Sequence, residues 1–135
     1  MIRRALNIGR WLVEFYFAGE DGYDTDELID RLYDFGADIH SLRKAWSLME
    51  SDLPNTGFTF SNQQDRLAIV AIGPTSSGAE FQDTFVHEVH HLAVAIADSL
   101  GLDLDGEDPA YIAGDTARDL AEILCRLGCE HCRHR

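Results

Sequence analysis

His87, Glu88 and His91 stand in the three fixed places of an H-E-x-x-H run, His87-Glu88-Val89-His90-His91. Residues four apart on a helix share one face about one turn from each other, so two imidazoles at this spacing can close on a single metal ion. The carboxylate beside the first of them reaches the side of that face where a metal-bound water would be held. Zinc lowers the pKa of such a water toward neutrality, and a carboxylate base then frees hydroxide for attack on a carbonyl. His87 and His91 are therefore candidate metal ligands, and Glu88 is the candidate general base. His90 is turned about 60° from His87 by helical geometry and reads as a surface group beside the site.

A catalytic zinc takes a third protein ligand and leaves its fourth position to water. Val94 and Ala97 occupy the places where the long metzincin form would have glycine and histidine, so that form is excluded. After the short connection Gly101 to Gly106 comes Glu107-Asp108-Pro109-Ala110-Tyr111, in which Pro109 fits the first turn of a new helix. Glu107 opens this antiparallel helix and can face back toward the histidines. Asp108 is a rival carboxylate, and Asp98 is a poorer one, two turns beyond His91. Tyr111 reads as a core aromatic or a hydrogen-bond donor to the site, and Asp115 and Asp119 read as solvated acids or as groups that orient the imidazoles.

A second cluster lies near the C-terminus, where Cys125, Cys129, His131, Cys132 and His134 fall within ten residues. Three thiolates and one imidazole can close on a structural zinc ion, with Cys125, Cys129, Cys132 and His131 as the candidate ligands. Incidental thiols and a Cys129/Cys132 redox pair are the competing readings. An odd number of cysteines gathered at one end does not resemble a secreted disulfide framework. His40 belongs to neither cluster and reads as a surface residue.

The elements that must position these groups are legible in the apolar spacing. Trp11, Val13, Phe15 and Phe17 alternate with Leu12, Glu14 and Tyr16, which predicts a strand over 10–18 with one face buried. Asp24 and Glu27 form a capping pair ahead of a helix over 25–35, and Asp38 caps a second helix with Ile39, Leu42, Trp46 and Met49 on its apolar face, ending before Pro54. Phe58 and Phe60, then Leu67 to Ile72, predict a hairpin. The loop Gly73 to Gly78 delivers the chain to a long helix over 79–100, and a last helix is expected over 107–127. The order describes one α+β domain over residues 1–135, with about three strands in a small antiparallel or mixed sheet, four helices, and the H-E-x-x-H on the third.

The chain carries 24 acidic and 11 basic side chains, a formal charge of -13, and such a field repels a nucleic-acid backbone while attracting cations. No apolar run reaches the roughly 18 residues of a membrane span. Arg10 and Glu14 interrupt what would have to be the apolar part of a signal peptide, so a cytoplasmic protein is expected.

The arrangement of His87-Glu88-x-x-His91 followed after a short turn by Glu107-x-x-Ala110-Tyr111 resembles the gluzincin metallopeptidases, in particular the very small gluzincin-like proteins of phages and bacterial mobile elements. The resemblance covers about residues 66–115. It implies a zincin-like fold, Glu107 as the third zinc ligand, Glu88 as the general base, and the strand Leu67 to Ile72 as the sheet edge beside which an extended peptide lies. The interval from His91 to Glu107 is shorter than in large gluzincins, and no separate histidine or tyrosine can be assigned to stabilise an oxyanion. The expected function is zinc-dependent hydrolysis of a peptide bond in a peptide or protein substrate. The alternative is a zinc-stabilised binding module without turnover.

Overall fold

Apolar side chains fall on both sides of the central strands, and helices cover both sides. In the computed structural model, which describes residues 1–134, the order is β1 (Ile2–Ile8), β2 (Trp11–Phe17), α1 (Thr25–Asp34), α2 (Ile39–Glu50), β3 (Gly57–Asn62), β4 (Leu67–Ile72), α3 (Gly78–Ser99), α4 (Asp108–Asp119), α5 (Ala121–Gly128) and α6 (Glu130–Arg133). The fold is α+β, with a four-stranded mixed sheet in the order β1-β2-β4-β3 and six helices among the described residues. No helix among them is long and apolar enough to cross a membrane.

β1 is the strand that the spacing did not reveal. It forms a hairpin with β2 through Gly9 and Arg10, whose φ values of 54° and 71° are the left-handed pair that a type I′ turn demands. Arg3 and Arg4 hide the alternation of Ile2, Leu6 and Ile8, and a Gly-Arg pair is not a common hairpin signal. β2 then pairs with β4 in parallel, Phe15 opposite Val70, and β4 pairs with β3 in the expected antiparallel hairpin.

The second correction concerns β2 itself, which is buried on both faces rather than one. Trp11, Val13, Phe15 and Phe17 join Ala68, Val70 and Ile72 against Phe81, Phe85, Val89, Leu92 and Ile96 of α3, with Leu120 and Ile123 closing the layer. On the opposite face Tyr16, Ile69 and Ala71 pack on Leu28, Leu32, Phe35 and Ala45 of the α1/α2 layer. Ile39 and Trp46 are exposed, so the apolar face of α2 runs through Leu42, Ala45 and Met49 instead. The single C-terminal helix expected over 107–127 is two, broken at Leu120, whose side chain turns into the core.

Glu14 points into the α1 side of the sheet at 2% exposure. Its carboxylate accepts from the guanidinium of Arg31 at 2.9 and 3.2 Å, from Arg3, and from the Tyr16 hydroxyl at 3.1 Å. Burial alone would raise the Glu14 pKa, but hydrogen bonds from Arg31, Arg3 and Tyr16 outweigh it and hold the group below its ordinary 4.5. Burial and the adjacent Glu14 charge push the Tyr16 phenol up to about 12.

A carboxyl whose folded pKa is depressed contributes stability that is present above its unfolded pKa and lost as pH falls through the folded value. Glu14→Gln should lower unfolding free energy at neutral pH by about 2 kcal/mol, a cost reduced because both arginines keep partial access to water. Urea titrations of the two proteins from pH 7 to pH 3 should converge below about 4.5, the ordinary pKa of this carboxyl. A constant gap across that range would show that the ion cluster does not set the acid limit.

Candidate functional site

α3 begins where Ser77 accepts the Glu80 amide at 3.1 Å, and its apolar stripe fixes its rotation against the sheet. The next side of the helix, carrying Thr84 and Glu88, faces β3. His87 and His91 lie one step further out, exposed to solvent. Their Nε2 atoms are 3.3 Å apart, with the rings inclined at 80°. Two nitrogens held at 2.0 to 2.1 Å by one tetrahedral ion would be separated by about 3.3 to 3.4 Å. The separation matches that of two ligands of one ion, and in the structure one ring donates to the other, the tautomers deciding which.

Glu88 is only 6% exposed, and its Oε2 is 3.9 Å from Nε2 of His87. The Thr59 hydroxyl on β3 lies 3.0 Å from Glu88 Oε1 and 3.1 Å from the Glu88 carbonyl oxygen, so one donor ties both the side chain and the helix to the strand. Gly57, two residues earlier, leaves room for this approach: a Cβ there would sit 2.6 Å from the Ala71 carbonyl oxygen and 3.0 Å from Cγ of Glu88. The Tyr23 hydroxyl is buried with no hydrogen-bond partner among the described residues. Burial, with the Glu88 charge adding to it, pushes its pKa well up. Thr59 escaped sequence reasoning because it is remote in sequence from the motif it meets, and Tyr23, packed on Phe58, because only the fold brings it within the field of Glu88.

The histidines and Glu88 form one wall of a cleft of about 820 Å³, with Phe58, Phe60 and the α2 residues Lys44 and Leu48 also along it. The edge strand beside this cleft is β3, because β4 is flanked by β2 and β3; the expectation that Leu67 to Ile72 forms the edge is corrected. The amides of Leu12 and Ala18 bond the carbonyls of Arg66 and Ile72, so the even residues of β4 turn to β2. The Gly73 amide bonds the Thr56 carbonyl at 2.9 Å, which sets the odd residues toward β3. By the alternation of an antiparallel ladder, the backbone groups of Phe58 and Phe60 are paired and those of Gly57, Thr59 and Ser61 face the open edge.

Glu107 is the N-cap residue of α4, exposed and making no side-chain cap bond, and it stands outside the group formed by His87 and His91. Asp108 is half-buried in the first turn of α4, and Asp98 accepts from Gln63 at 3.2 Å. Among the described residues no three His, Cys, Asp or Glu side chains gather around one metal position, so the structure assembles two of the three expected ligands. His90 lines a separate hollow with Leu104, Gly106 and Pro109. Tyr111 is 65% exposed and is not a core aromatic. Asp115 and Asp119 pair with Arg118 at 3.5 Å, as solvated helix acids. His40 is exposed. In the C-terminal cluster all three cysteines are free thiols; Sγ of Cys125 and Cys132 are 3.6 Å apart, and His134 lies 3.4 Å from Glu130.

Gly57→Ala should cost about 2 kcal/mol in denaturant unfolding because its new methyl meets backbone on one side and Glu88 on the other. Ser61→Ala, exposed four residues along the same strand, should change stability by no more than about 0.5 kcal/mol. Equal stabilities would contradict the tight β3/α3 approach. Comparisons with family models, with curated proteins and with solved structures find no match to this chain, so the functional reading is carried by the geometry of His87, Glu88 and His91.

Proposed function

We propose that the chain is a zinc-dependent hydrolase of gluzincin type that cleaves peptide bonds. The observation that carries this reading is the pair of imidazoles meeting at 3.3 Å beside a buried carboxylate on an open sheet edge. His87 and His91 would hold the ion, with Glu107 as the third ligand and a zincin-like fold around them. The Glu107 side chain makes no cap bond, which leaves it available as that ligand, whereas Asp98 is engaged by Gln63. A bound zinc ion supplies Lewis acidity at the substrate carbonyl and lowers the pKa of water.

The protein's own groups do the rest. Glu88 takes the proton of the attacking water and delivers it to the leaving amine, and the Thr59 hydroxyl holds Oε1 so that Oε2 remains the working oxygen. The outward amides and carbonyls of Gly57, Thr59 and Ser61 offer an extended peptide a strand to pair with, which aligns its scissile bond along the cleft. Phe58, Phe60 and Leu48 give apolar contact, and Lys44 gives the cleft a cation. A cytoplasmic site of action goes with free thiols and with the absence of a long apolar helix among the described residues.

The alternative, a zinc-stabilised binding module, draws on one observation, the position of Glu107 outside the histidine pair. Glu88→Gln separates the two. In zinc-loaded protein assayed on a mixed peptide library, the variant should lose about 10³-fold in hydrolysis rate while keeping its zinc. The same peptide-binding affinity in both proteins with no turnover in either would favour the binding module.

A further inference from the structure

The C-terminal thiols are a site that hydrolysis at the α3 histidines does not use. Cys125 on α5 and Cys132 on α6 bring their Sγ atoms to 3.6 Å, a short move from the roughly 2.05 Å of a disulfide. Cys129, at the start of α6, accepts the main-chain amides of Cys132 and His131 on its sulfur and also contacts the Cys132 thiol. Cys125 is exposed and the other two are half-buried, so a small oxidant can reach them. We propose that these three thiols form a reversible dithiol/disulfide site, in which Cys129 is the attacking sulfur and Cys125 and Cys132 form the final bond.

The three sulfurs stand in a chain of contacts, Cys129 to Cys132 to Cys125, along which a disulfide can be passed. The oxidant is a small-molecule disulfide of the glutathione type. The Cys129 thiolate attacks one of its sulfurs, forming a mixed disulfide and expelling the first thiolate, which takes the Cys132 proton. Cys132 sulfur then attacks Cys129, expelling the second thiolate, which takes the Cys125 proton. Cys125 sulfur attacks Cys132 and returns Cys129 as thiolate. Two protein thiols are oxidised and one small disulfide is reduced to two thiols.

The bond would close a loop around the segment that clamps the start of α3. Within that loop Glu130 accepts the Gly78 amide, and the Gly128 carbonyl accepts from Gln82 at 2.7 Å. Gly78 and Gly128 touch so closely that a Cβ on Gly78 would be 2.5 Å from the Gly128 carbonyl oxygen. Just beyond, Arg133 donates to Thr75 at 2.8 and 3.1 Å. Oxidation therefore tightens the end of the same helix that carries His87 and His91.

Tryptic cleavage after Arg118, Arg126 and Arg133 puts Cys125 in one peptide and Cys129 with Cys132 in another, so a bond to Cys125 joins the two peptides, and fragmentation that places the alkylated cysteine at Cys129 identifies Cys132 as its partner. The full chain is incubated with oxidised glutathione, alkylated and digested for mass spectrometry, and its melting temperature is followed in parallel. A cross-linked pair of these peptides should appear, reverse with dithiothreitol, and raise the melting temperature by about 5 °C. Cys129→Ser should reach the same cross-link about tenfold more slowly, and Cys132→Ser should abolish it. Thiols that stay reduced, that stop at mixed disulfides, or that resist alkylation until a chelator is added would overturn the proposal, the last by assigning them to a metal.

Discussion

Everything at the site depends on which way α3 is turned. Phe81, Phe85, Val89, Leu92 and Ile96 are buried against β2 and β4, and exposing any one of them costs on the order of 1.5 to 3 kcal/mol. Rotation about the helix axis is thereby fixed, and the residues that follow around the helix, Thr84 and Glu88, are forced against β3. His87 and His91 then emerge at the mouth of the cleft as a consequence of core packing. Thr59 completes the arrangement from the strand side, where Gly57 permits backbone and carboxylate to come within contact distance.

The sheet makes this possible by being mixed. β4 lies between a parallel and an antiparallel neighbour, and its two faces feed two different helical layers. That leaves β3 as the strand beside α3 with one side unpaired, its exposed polar backbone turned to the same cleft as the histidines. On the opposite face, the buried Glu14 is balanced by two arginines, which ties β1, β2 and α1 together at the far side of the domain.

The long helix, the β3/β4 hairpin and the local caps at Asp24 and Asp38 were legible because their signals are local: apolar period, turn residues and capping side chains. β1 was not, because two arginines occupy its alternation and its turn uses Arg10 in a left-handed conformation. The burial of β2 on both faces was hidden by Glu14, whose charge reads as solvent-facing until Arg3 and Arg31 are brought to it from other elements. Of the site, His87, Glu88 and His91 follow from spacing alone. Thr59, Tyr23 and the identity of the edge strand depend on strand order, which periodicity does not encode. Tyr111 illustrates the opposite error, since an aromatic one turn into an amphipathic helix is not obliged to face inward.

The central claim is that His87 and His91 hold a metal ion. Elemental analysis of protein purified without added metal, in the wild type and in a folded His87→Ala, His91→Ala double variant, tests it most directly. The expected result is about one zinc ion per chain in the wild type that is lost in the double variant. Equal zinc in both proteins, or none in either, would contradict it.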